Sequence, residues 1–85
     1  MIKLLDFWAP WCGPCQMMKP VVEELEKEFE GKVQIVKINV DENQEESAKY
    51  GVMSIPTFIV LKDDQEIGRK IGFTAKEELL KLINS

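Results

Sequence analysis

Residues 6–15 read Asp6-Phe7-Trp8-Ala9-Pro10-Trp11-Cys12-Gly13-Pro14-Cys15 and hold both cysteines of the chain. Upstream, the run from Ile2 to Trp8 is short and nearly continuous in apolar residues, as a strand buried on both faces is, and it closes at Ala9-Pro10. Downstream, from Pro14 to about Phe29, Met18, Val21, Val22, Leu25 and Phe29 recur at spacings of three and four. Lys19, Glu23, Glu24, Glu26 and Lys27 take the other side, so the spacing predicts an amphipathic helix that stops near Gly31. Pro20 removes one backbone donor inside that helix and is expected to kink it. The cysteine pair therefore falls at a strand-to-helix turn.

The remaining elements follow the same logic. Val33 to Val40 reads as a strand, with Val36, Ile38 and Val40 on one face and Val33, Ile35, Lys37 and Asn39 on the other. Asp41 to Tyr50 suits a brief helix closed by a left-handed Gly51. Thr57–Leu61 and Glu66–Ile71 are β-rich runs around Lys62-Asp63-Asp64-Gln65, an antiparallel hairpin. Thr74-Ala75-Lys76-Glu77 offers a capping box before a last helix with Leu79, Leu80 and Ile83 on its apolar face. The string is βαβ-α-ββα. A right-handed crossover makes the first two strands parallel, and the hairpin completes a mixed four-stranded sheet flanked by helices, an α/β fold.

At 85 residues the chain is expected to form one domain, 1–85, with one site. Its 11 basic residues are scattered among 15 acidic ones, so the basic face that nucleic-acid binding needs is missing. The uncharged stretches fall far short of the roughly 20 apolar residues that span a bilayer. Asp6 interrupts the N-terminal apolar run, which argues against a secretory signal and for the cytoplasm. Histidine is absent, which removes the commonest general base and the commonest zinc ligand.

Chemistry must then come from the cysteines. Two residues three apart within a helix hold their Cβ atoms roughly 5–6 Å apart, whereas a disulfide wants about 3.5–4.5 Å, so Cys12 is expected at the non-helical cap. There the free amides of the first turn and the positive end of the helix dipole favour its thiolate, making Cys12 the nucleophile. Cys15, one turn in and on the core side, is the resolving thiol. Pro14 pre-sets the first helical turn, and Gly13 leaves room for another backbone to approach. A purely structural disulfide would close a loop of only two intervening residues and is disfavoured in a reducing compartment. A zinc site would be two ligands short, and no metal is expected.

Asp6 interrupts a strand expected to be buried and shares its face with Leu4 and Trp8. A buried lone carboxylate has a raised pKa, and with no histidine present it is the natural acceptor for the Cys15 proton. Lys37, on the parallel neighbour strand, is its expected partner cation. The plainer reading is an aspartate bonded to backbone at a strand end.

The segment Asp6–Cys15 resembles the active-site segment of the thioredoxin family. Pro20, Lys37-Ile38-Asn39-Val40-Asp41, Tyr50-Gly51-Val52, Ile55-Pro56-Thr57 and Gly72 extend the resemblance over essentially the whole chain. It implies a thioredoxin fold and a cis Ile55-Pro56 peptide facing the cysteines, with the Ile55 backbone pairing an extended substrate. It also implies an apolar contact surface of Trp11, Gly13, Pro14, Ile55, Pro56, Ile71, Gly72 and Phe73, and the same proton-accepting role for Asp6. Relative to the family pattern, an N-terminal strand and helix are lacking, which leaves Val33 to Val40 as a sheet edge. Asp63-Asp64 replaces the usual Asn-Gly-like turn, and Met53-Ser54 lacks a common glycine. The expected function is a monomeric thiol-disulfide oxidoreductase that reduces protein disulfides. It would need no bound cofactor and would be recharged by thioredoxin reductase, with NADPH and flavin, or by another reductant. The rivals are a glutaredoxin-like, glutathione-dependent enzyme, against which Gly13-Pro14 between the cysteines argues, and a redox-inactive binding module.

Overall fold

A computed structural model describes all 85 residues. Its elements are β1 (Ile2–Trp8), α1 (Gly13–Glu28), β2 (Val33–Asn39), α2 (Gln44–Lys49), β3 (Thr57–Lys62), β4 (Gln65–Ile71) and α3 (Lys76–Ile83). The sheet order is β2-β1-β3-β4, with β1 parallel to β2 and antiparallel to β3. The central place of β1 explains its nearly continuous apolar run, because each face meets its own core. Leu4 packs with Met18, Val22 and Leu25 of α1, Phe58 and Val60 of β3, and Leu79 and Ile83 of α3. Leu5 and Phe7 turn the other way, onto Ile38, Ile59 and Leu61, with Tyr50, Val52 and Ile55 packed around them. Fully burying each of these side chains contributes roughly 1.5–3 kcal/mol. This two-sided packing fixes the C-terminal end of β1, where the cysteines follow.

α1 runs on past Pro20 to Glu28 and is capped by Phe29. Lys76 at the start of α3 ties the two helices together through Glu24 and Glu28 of α1. β2 lies at the sheet edge, as expected, with Val33 and Ile38 buried on opposite faces. The short helix contracts to six residues, and Gly51 beyond it holds φ 64°.

Two local expectations change. The hairpin closes on two residues, Asp63 and Asp64, both left-handed at φ 51° and 68°, so β3 and β4 extend into what reads as a four-residue loop. Left-handed backbone at both central positions matches the right-handed twist of the strands. The capping box does not form. The Thr74 hydroxyl donates to the Gly72 carbonyl at 2.9 Å, and the N-cap of α3 is Ala75, without a side-chain bond. The left-handed turn at Gly72, φ 86°, folds Thr74 back onto its own loop and takes the hydroxyl from the helix.

A β-bulge, unmarked by any alternation in the sequence, lies in the same hairpin. Val60 faces Gly68 and Leu61 faces Glu66, which leaves Ile67 as the extra residue. Leu82 of α3 lies against Gly68, where a Cβ would collide with it.

Candidate active site

Cys12 is the N-cap of α1, in extended conformation at φ −89° and ψ 112°. The turn that stops β1 at Ala9-Pro10 aims its side chain across the open end of the helix. The Cys15 amide donates to Cys12 Sγ at 3.2 Å, and the Cys12 carbonyl already accepts the Gln16 amide at 3.1 Å. The cap position thus permits what two helical positions would not, and Cys12 and Cys15 are joined in a disulfide with Cα atoms 5.2 Å apart. The two cysteines are equally buried, each 5% exposed, so in this oxidised state Cys15 is not the deeper one. The Cys12 sulfur lies 3.9 Å from the Ile55 carbonyl oxygen. Ala9, Trp8, Val40 and Ile55 complete the apolar wall around the pair.

The cis Ile55-Pro56 bond is present, and the loops around it are tied together, with the Gly72 amide donating to the Pro56 carbonyl at 2.7 Å. Trp11, Ile71 and Phe73 are large apolar side chains left 70%, 63% and 56% exposed. For Ile71 this excludes core packing. Gly13 and Pro14 are exposed as well, and a Cβ built on Gly13 meets nothing within 4 Å, so the space above the disulfide is open. Pro56 departs from the expected contact surface. It leads directly into the wholly buried start of β3 and shares that burial, so Ile55, half-buried, is the residue of the pair that offers surface.

Sequence reasoning missed the groove beside the disulfide. Trp11, Val40, Ser47, Val52, Met53, Ser54 and Ile55 line a cavity of about 330 Å³. The Trp11 indole is held over it by Asp41, whose Oδ2 accepts from Nε1 at 2.8 Å. Asp41 is itself fixed by its amide, which donates to Asn39 Oδ1 at 2.9 Å. The tie spans 30 positions of sequence, so only the fold reveals it. Met53 is almost wholly exposed.

A second cavity, of about 300 Å³, shares no lining residue with the first. Asp6, Trp8, Cys15, Lys19, Val22, Glu23 and Lys37 enclose it. Asp6 is buried, and burial pushes its carboxyl up from 3.8 to about 6; Lys37 opposes that rise and Glu26 adds to it. Lys37 is opposite Asp6 in the parallel register, yet the expected ion pair does not form. Its Nζ is instead 3.0 Å from Glu26 Oε1, because the side chain reaches out to α1. Lys19 Nζ lies 5.9 Å from the centre of the Trp8 ring, and the buried Trp8 indole N–H has no partner. Cys15 and the raised Asp6 carboxyl thus border one small, partly charged space.

No group of three or more His, Cys, Asp or Glu side chains is placed to hold a metal ion, and no helix is long and apolar enough to cross a membrane. The family model described as Thioredoxin matches residues 1–85. The thioredoxin of Bacillus subtilis (strain 168) is 59% identical over 83 residues, which are 98% of this chain and 80% of the relative. That of Staphylococcus aureus is 53% identical over the same shares. Among solved structures, a mutant thioredoxin from Halobacterium salinarum NRC-1 superposes with a TM-score of 0.91 at 40% identity, over 98% of this chain and 72% of that one. With its thioredoxin fold and a cysteine pair closed at the start of α1, the chain belongs to the thioredoxin family and is a thiol-disulfide oxidoreductase.

Proposed function

We propose that the chain works in the reducing direction on protein disulfides, with Cys12 as nucleophile and Cys15 as resolving thiol. The observation that carries this reading is the Cys15 amide aimed at Cys12 Sγ at the first turn of α1. In the reduced protein the same N–H and the positive end of the helix favour a thiolate on Cys12. That thiolate attacks one sulfur of a substrate disulfide, a Cys12–substrate bond forms, and the other substrate sulfur leaves with the electron pair and takes up a proton. Cys15 then gives its proton to Asp6 and attacks Cys12 Sγ. The mixed disulfide breaks, the Cys12–Cys15 bond forms, and the second substrate sulfur leaves and is protonated. Two electrons pass to the substrate, and the cysteines themselves carry them, so no resident cofactor is needed.

Trp11, Gly13, Pro14, Ile55, Ile71, Gly72 and Phe73 supply the contact surface, and the exposure of the three large apolar side chains supports this assignment. An extended substrate segment pairs with the Ile55 backbone. Lys37 acts on Asp6 through its field rather than by a direct pair. Thioredoxin reductase, drawing on NADPH through its flavin, returns the oxidised pair to the dithiol, and the reducing cytoplasm is the setting in which a single domain and monomer of this kind would cycle.

The test is insulin-disulfide reduction with NADPH and thioredoxin reductase, beside a parallel reaction supplied with glutathione alone. Wild type turns over with the reductase, Cys12→Ser is inactive, and Cys15→Ser accumulates a mixed disulfide with insulin. A Cys12→Ser protein as active as wild type refutes the mechanism, and exclusive use of glutathione refutes the proposed reductant.

A further inference from the structure

The groups that face Asp6 are few. From β2 comes Lys37, opposite it in register; α1 contributes Cys15, Lys19 and Glu23 along the shared cavity, and Glu26 one turn further on; the β3 neighbour is Phe58, which carries no charge. Asp6 makes no ion pair, although a lysine stands beside it on the adjacent strand. That lysine is spent on Glu26, at 3.0 Å, with both side chains close to half exposed. An exposed pair of this kind adds little to stability. Its geometric effect is larger, because it holds the ammonium against Glu26, which is not among the residues lining the cavity.

We propose that Glu26 is a positioning residue that keeps Lys37 away from Asp6, leaving that carboxylate free to accept the Cys15 proton. The inference rests on Asp6 being the proton acceptor. An ammonium brought within about 4–6 Å of a carboxylate lowers its pKa by roughly 1–3 pH units and makes it a weaker base. Glu26 acts against this twice, by engaging the ammonium and by adding its own negative charge near the site. The cavity's other charges cannot substitute for it, since Lys19 lies over Trp8 and Glu23 makes no ion pair with Lys37.

The experiment follows the Asp6 carboxyl by carbon-13 NMR titration in the reduced protein, and the resolving step by stopped-flow reaction with Ellman's reagent, whose second phase reports attack by Cys15. In Glu26→Gln the Asp6 midpoint falls by about one pH unit or more, the pH dependence of the second phase moves down with it, and the first phase is unchanged. In a Lys37→Met background the same substitution produces a much smaller fall, because no ammonium remains to be released. An unmoved midpoint in Glu26→Gln, or a fall of equal size with and without Lys37, overturns the proposal. An Asp6→Asn protein with an unaltered second phase at every pH overturns the underlying reading instead, so the two failures are distinct.

Discussion

Replacing Asp6 by asparagine is expected to make the protein more stable at neutral pH, by an amount the site itself sets. The carboxyl is at 3.8 when free and about 6 in the folded chain, raised chiefly by burial. The folded state therefore holds its proton more tightly than the unfolded state. The stability associated with the protonated acid is present in full below about pH 3.8 and is lost as pH rises through about 6. A gap of about two pH units at about 1.4 kcal/mol each amounts to about 3 kcal/mol withheld from the folded protein at pH 8. Asparagine fills the same volume without a charge, so Asp6→Asn regains most of that sum at pH 8 and almost none at pH 4. In urea, with a slope of roughly 1 kcal/mol per molar for so small a domain, the midpoint of the oxidised protein rises by about 2–3 M at pH 8. A difference between the two proteins that stays constant from pH 4 to pH 8, or an asparagine variant that is the less stable at pH 8, would refute the reasoning.

Two further outcomes follow from the geometry outside that cavity. Asp64→Gly relieves a left-handed non-glycine position at φ 68° and raises stability by about 0.5–1 kcal/mol, read as a higher thermal midpoint; a drop would mean that the aspartate makes a contact worth more than the strain. Asp41→Ala removes the acceptor of the Trp11 indole, so the KM for a protein disulfide rises several-fold with little change in kcat, while Trp11 fluorescence anisotropy falls. An unchanged KM would show that the indole is held by packing alone.

What could be read before any coordinates was whatever a short window contains. The nearly continuous apolar run of β1 announces a strand with a core on each side, and Leu4 and Leu5 do face different cores. The cap position of Cys12 follows from three-residue spacing at the start of a helix, and it is occupied as expected. What stayed hidden depends on how far a side chain reaches between elements. Lys37 is correctly placed beside Asp6 by register, but its four-carbon stem is long enough to choose Glu26 on a helix that no strand pattern brings near. Asp41 and Trp11 meet for the same reason. Thr74 carries the letters of a capping box, yet the backbone turn at Gly72 decides where its hydroxyl goes. Pro56 looks like part of a contact surface by its neighbours, and only the depth of β3 shows that it is covered.

The two cavities flanking the disulfide have no wall in common. On the proposed mechanism, a client docked on the tryptophan side leaves the aspartate side uncovered. The same mechanism then has the proton of Cys15 pass out on the flank the client does not cover, so severing the mixed disulfide does not require the docked face to open first.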